Sequence, residues 1–110
     1  GNDNPSDTLH VLRARGEHFG FPWCAAGFQD PGAAGPARMC SEFPAPDAIL
    51  GPHVAPIGTH FYTGTAFPER YRNALFIANQ GSWNRPRLSG FNVVVVREGG
   101  NGRLVMEEFM

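Results

Sequence analysis

The second half of the chain constrains the fold most, because short apolar runs alternate there with breaks rich in glycine, proline and asparagine. Phe91-Asn92-Val93-Val94-Val95-Val96-Arg97 carries four β-branched side chains in a row. Such residues lose rotamer freedom in a helix and fit a pleated surface, so the run reads as a strand. Glu98-Gly99-Gly100-Asn101-Gly102 reads as a hairpin turn, because Gly and Asn tolerate positive φ, and Arg103 to Phe109 returns as the next strand. Upstream, Ile57 to Tyr62 is a strand candidate, Thr63 to Pro68 breaks it, and Glu69 to Arg72 makes one helical turn. Asn73 to Ala78 follows, apolar enough to be buried on both faces. Four short antiparallel strands within about fifty residues fit one propeller blade, which needs neighbours to cover both of its faces. The same periodicity describes a small sandwich or half a barrel. The pattern alone implies an all-β chain with its architecture open.

The first half is less regular. Leu9 to Arg13 is a short strand candidate ended by Gly16, and His18-Phe19-Gly20-Phe21-Pro22-Trp23 interleaves aromatic residues with Gly and Pro, the composition of a tight, partly buried turn. Residues 25–50 are rich in Ala, Gly and Pro and read as a long ordered loop, which is usually functional or part of something larger. A hydrophobic content of 42% argues against disorder. The net charge of −1 provides no basic field for nucleic acid or an anionic membrane. No apolar run approaches the roughly eighteen residues of a membrane-spanning helix. The chain opens on Gly-Asn-Asp-Asn-Pro without a signal peptide, and both ends read as cut.

Several residues are candidates for chemistry. Cys24 and Cys40 match no zinc spacing, and two buried thiols and a disulfide are equally compatible with their placement. Asn2-Asp3-Asn4-Pro5-Ser6-Asp7 clusters oxygen ligands of the kind that hold Ca²⁺, without the order of an EF-hand; Asx residues and Pro also simply turn a chain. His53 and His60 are separated by Pro56 and make a weak metal pair, and His10 and His18 read as hydrogen-bonded core histidines. The stretch Gln80-Gly81-Ser82-Trp83-Asn84-Arg85 follows a strand, where binding groups commonly sit. There Trp83 suits stacking on a planar ligand and Arg85 suits pairing with a carboxylate; packing of Trp83 under the loop, with Arg85 solvated, is the plain alternative. The chain has no GxSxG elbow, phosphate-cradling loop or dinucleotide fingerprint.

Taken in order, Asp7-Thr8-Leu9, Gly16-Glu17-His18-Phe19-Gly20-Phe21-Pro22-Trp23-Cys24, Cys40-Ser41-Glu42-Phe43, Leu50 to Gly58, Phe61-Tyr62-Thr63-Gly64, Tyr71 to Ala78 and Gly81-Ser82-Trp83-Asn84-Arg85 resemble the glucose/sorbosone dehydrogenases, most of all the sorbosone-dehydrogenase-like branch. The resemblance implies a fragment of a six-bladed β-propeller, with residues 1–50 as the end of one blade and a connecting loop and residues 51–110 as a four-stranded blade. It implies a quinoprotein, periplasmic or secreted, that binds pyrroloquinoline quinone (PQQ) and Ca²⁺ and passes hydride from a sugar-type substrate to the quinone. A non-catalytic propeller that binds a partner or glycan is the alternative. On this reading Asp7, His53, Trp83 and Arg85 line the cofactor and the carbonyls of Asn2 and Asp3 hold the metal. The catalytic His lies on an earlier blade, so the fragment alone is inactive and depends on the remaining blades. The resemblance also favours a Cys24–Cys40 disulfide.

Overall fold

The computed structural model describes residues 5–33, 35–83 and 85–110, and these are all-β, with two single-turn 3-10 helices at Cys40–Glu42 and Glu69–Tyr71. They fall into two compact units, one ending at Pro52 and the other beginning at His53. No helix among the described residues is long and apolar enough to cross a membrane.

In the first unit, β1 (Ser6–Leu9) pairs antiparallel with β4 (Ala48–Pro52), in a register running from Ser6 opposite Pro52 to Leu9 opposite Ala48, with an irregularity between Asp7 and Thr8. The strand expected over Leu9 to Arg13 therefore lies earlier. Asp47 explains where it stops. Its N–H donates to the Leu9 carbonyl (2.9 Å), while its carboxylate accepts from the Val11 N–H (2.7 Å), so a side chain replaces the ladder. Residues 25–50 are more structured than their composition implies. They contain β3 (Phe28–Gln29), paired with β2 (Cys24–Ala25), as well as the first 3-10 turn and most of β4.

Cys24 and Cys40 form a disulfide with their Cα atoms 5.2 Å apart. It sits in a core where Cys24, Phe43 and Leu50 are buried. Gly20 makes this packing possible. Its φ is +113°, and a Cβ there would lie 3.0 Å from the Cys24 Cβ and 3.2 Å from the Phe43 ring. The Gly20 carbonyl accepts from the N–H groups of both Trp23 and Cys24, closing the turn that delivers Cys24 to its partner. Around it, the rings of Trp23 and Phe43 are stacked at 6.4 Å, and the Arg38 guanidinium lies over both.

The second unit is one four-stranded antiparallel sheet in sequential order, β5 (Pro56–Phe61), β6 (Leu75–Asn79), β7 (Asn92–Glu98) and β8 (Leu104–Glu108). These strands lie within a few residues of the expected runs. Cross-strand partners share a face. On one face Phe76 stands opposite His60 and Val95, and Val95 is fully buried. The rings of Tyr62, Phe67, Tyr71 and Phe109 gather on Phe76, the nearest being Phe109 at 4.9 Å. Ile77 opposite Val94 and Leu75 opposite Val96 belong to the other face, where Ile77 is 1% exposed. Burying an Ile or Val of this kind contributes about 1.5–3 kcal/mol. The break between β5 and β6 is tied by one side chain, since the Tyr62 hydroxyl accepts from the N–H groups of Ala66 (2.8 Å) and Phe67 (3.0 Å).

Candidate functional site

The loop joining β6 to β7 grows from a polar pair, Asn79 buried and Asn92 half-buried. Asn79 and Asn92 face each other at the ends of their strands, and Asn79 Nδ2 donates to Asn92 Oδ1 at 3.0 Å. Beyond that pair the backbone is tied to the segment before β5, with Gln80 N–H donating to the Ala55 carbonyl (3.0 Å) and Gly81 N–H to the Val54 carbonyl (2.8 Å). The two limbs of the loop are joined through Ser82 and Ser89. Ser82 N–H donates to the Ser89 carbonyl (2.8 Å), and Ser89 N–H donates to the Ser82 hydroxyl (2.9 Å). Ser82 is 4% exposed, its hydroxyl satisfied inside the loop.

Two glycines allow this closure. A Cβ on Gly90 would meet the Gly81 Cα at 2.6 Å, and one on Gly81 would meet the Phe91 ring at 2.6 Å, with both residues at positive φ. The next side chain out from this fixed base is Trp83, 89% exposed. Arg85 is half-buried beyond it. A large aromatic side chain held out on a well-anchored loop costs apolar hydration, which contact with a ligand or partner would relieve.

The sequence candidates distribute unevenly about this loop. Trp83 and Arg85 belong to it, and Trp83 is exposed rather than packed under the loop. His53 is exposed beside it, and its carbonyl lies 3.5 Å from the Ser89 hydroxyl. Asp7 belongs to the first unit, in the β1–β4 ladder opposite Gly51. Asn2 and Asp3, expected to supply metal-binding carbonyls, lie outside the described residues. Among the described residues no group of three or more His, Cys, Asp or Glu side chains comes together in a way that would hold a metal ion. What sequence reasoning does not pick out is the pair Ser82 and Ser89, two ordinary polar residues whose role depends on a loop closure that spacing does not encode.

The fold and this site define a disulfide-bridged all-β protein with an aromatic-tipped loop at one end of its sheet. The chain belongs to the TrAA12-like family, which matches residues 28–108. It is also similar to a protein of Borreliella burgdorferi described as an uncharacterized protein, with 39% identity over 97 residues, covering 87% of this chain and 26% of the relative. The chain thus spans about a quarter of the length of the curated relative it matches. No solved structure matches.

The family match corrects the assignment to the glucose/sorbosone dehydrogenases. The PQQ-dependent dehydrogenase function and the quinoprotein description fall with that assignment. PQQ and Ca²⁺ are likewise withdrawn as cofactors, because the family differs and the described side chains assemble no donor set for a metal.

Proposed function

We propose that this TrAA12-like segment is one sheet unit of a multi-blade β-propeller and that its β6–β7 loop binds a saccharide-type ligand through Trp83, in the periplasm or outside the cell. The observation that carries the reading is Trp83 itself, 89% exposed on a loop whose base is fixed by backbone and serine hydrogen bonds. An indole offers a flat apolar surface, and the C–H face of a sugar ring is a flat apolar partner. Arg85 adds hydrogen-bond donors in the same loop for hydroxyl or carboxylate groups. Because the base is pre-formed, little ordering opposes binding. A net charge of −1 disfavours polyanions as the ligand.

The sequential four-stranded meander supports the blade reading, since such a sheet is the repeating part of a propeller. The Cys24–Cys40 bridge supports an oxidising compartment, where disulfides persist.

The test is a titration of the full-length protein with neutral and acidic mono- and oligosaccharides, read by calorimetry and tryptophan fluorescence. Trp83→Ala is expected to weaken binding at least about tenfold, roughly 1.4 kcal/mol, while Trp23→Phe leaves it within about twofold. Lack of saturable binding across the panel, or equal affinity in Trp83→Ala, overturns the reading.

A further inference from the structure

The hairpin turn between β7 and β8 holds Asn101-Gly102, and Asn101 is the only asparagine of the chain that glycine follows. Both residues are exposed. Gly102 sits at φ +77°, with nothing within 4 Å of the place a Cβ would take. The other asparagines precede Asp, Pro, Ala, Gln, Arg or Val, whose side chains crowd the following backbone nitrogen. Asn92 is moreover engaged through its Oδ1 by the Asn79 amide.

The turn folds the Asn101 carboxamide back over its own chain. Asn101 Oδ1 accepts from the Arg103 N–H at 3.2 Å, the side-chain turn that Asx residues make with the backbone two residues on. The ring that this bond closes contains both the carboxamide carbon and the Gly102 nitrogen, so an electrophile and a nucleophile are kept together. The same Arg103 N–H stands where negative charge gathers on Oδ1 when that carbon turns tetrahedral, as the donor of an oxyanion hole does. The Gly102 N–H itself donates to the Gly99 carbonyl at 3.2 Å, the long end of the hydrogen-bond range, so little holds this nitrogen back.

We infer that Asn101 is a self-modification site, converted in the folded protein to aspartate and isoaspartate by attack of the Gly102 backbone nitrogen. Hydroxide removes the Gly102 amide proton, and the nitrogen forms a bond to Asn101 Cγ. The Cγ–Nδ2 bond breaks, and the side-chain amide leaves as ammonia with a proton from water. Water then opens the cyclic imide at one of its carbonyls. Opening at Cγ gives aspartate. Opening at the backbone carbonyl gives isoaspartate, in which the chain runs through Cβ and gains a methylene. Either product sets a carboxylate beside Arg103, and isoaspartate also lengthens the turn that the Gly99 N–H closes on the Arg103 carbonyl at 2.6 Å. This site does not depend on Trp83 or on a saccharide ligand.

The experiment holds the full-length protein in mildly alkaline buffer beside a synthetic peptide of residues 98–104. Both are followed by peptide mapping with mass spectrometry and by methyl transfer from an isoaspartate-specific methyltransferase. Asn101 is expected to lose its amide at least as fast in the folded protein as in the peptide, ahead of every other asparagine and faster as the pH rises. Gly102→Ala should slow the conversion at least about tenfold, the effect of roughly 1.4 kcal/mol on the barrier. The comparison with the peptide uses the unaltered protein and so is independent of how that variant folds. Retention of the Asn101 amide in the folded protein after the peptide has converted, a rate indifferent to pH, or a rate unchanged in Gly102→Ala overturns the inference.

Discussion

Asp47 does the work of several backbone bonds. Its carboxylate accepts from the Arg13 guanidinium at 2.5 Å and from the Val11 N–H at 2.7 Å, and these two contacts, the Arg13 bond foremost, hold its pKa below the ordinary Asp value. A carboxyl whose pKa is lower in the folded protein stabilises the fold above its unfolded value of about 3.9 and loses that contribution as the pH falls through the folded value. Chemical denaturation of the wild type should therefore lose stability below about pH 4. Asp47→Asn should flatten that part of the profile and leave the rest unchanged in shape. An unaltered acid limb would show that Arg13, with its side chain 60% exposed, is too well screened for the pair to matter. Gly90 makes a second residue-scale prediction. It sits at φ +83°, where a side chain is strained, and its Cβ would overlap the Gly81 backbone. Gly90→Ala is expected to cost about 1–3 kcal/mol, read from denaturant midpoints, and to weaken saccharide binding by loosening the base that presents Trp83.

At the scale of elements, the disulfide and the sheet differ in how visibly the sequence encodes them. The strands β5 to β8 are legible because β-branched and aromatic runs between Gly-bearing turns leave few alternatives to short strands. β4 is not legible. Ala48-Ile49-Leu50-Gly51-Pro52 has the composition of a loop and becomes a strand through pairing with β1, some forty residues earlier, and such non-local pairing leaves no periodic trace in the segment itself. The bond between Cys24 and Cys40 is legible only as one of two readings, because what brings the thiols together is the positive-φ turn at Gly20 and the 3-10 turn at Cys40–Glu42. Trp83 stands out in the sequence, but its exposure follows from the closure of Ser82 onto Ser89. His10 reads as a hydrogen-bonded core histidine, whereas its Nδ1 is buried without a hydrogen-bond partner. The disulfide's contribution is measurable. For the loop it closes, Cys24→Ala with Cys40→Ala should cost about 3 kcal/mol, seen as a lower midpoint under non-reducing conditions. The loss should concentrate in the first unit, so amide exchange should accelerate at Ala25, Phe28 and Leu50 more than in β6 and β7.

For the whole molecule, the edges of the second sheet matter most. All six residues of β5 are exposed, among them Ile57 at 69% and Phe61 at 62%, and on the opposite edge Leu104 and Met106 of β8 are also exposed. Edge strands carrying bare apolar side chains are templates for pairing with other chains, and proteins that leave them so normally cover them with neighbouring structure. In the blade reading, adjacent blades of the longer protein cover the faces onto which these side chains project, consistent with a chain that spans 26% of its curated relative. Residues 1–110 expressed alone should then self-associate at micromolar concentration or unfold over a broad, weakly cooperative transition. In the full-length protein the β5 amides of Gly58, Thr59 and His60 should exchange slowly, and in the isolated segment they should exchange at least about a hundredfold faster, equivalent to roughly 2.7 kcal/mol of lost protection. Ile57→Lys with Phe61→Lys should improve the solubility of the isolated segment and destabilise the full-length protein, because the same two side chains would be surface in one and interface in the other. A soluble monomer of residues 1–110 that unfolds cooperatively, with β5 exchange unchanged between the two forms, would mean that the sheet needs no neighbours and that the blade reading fails.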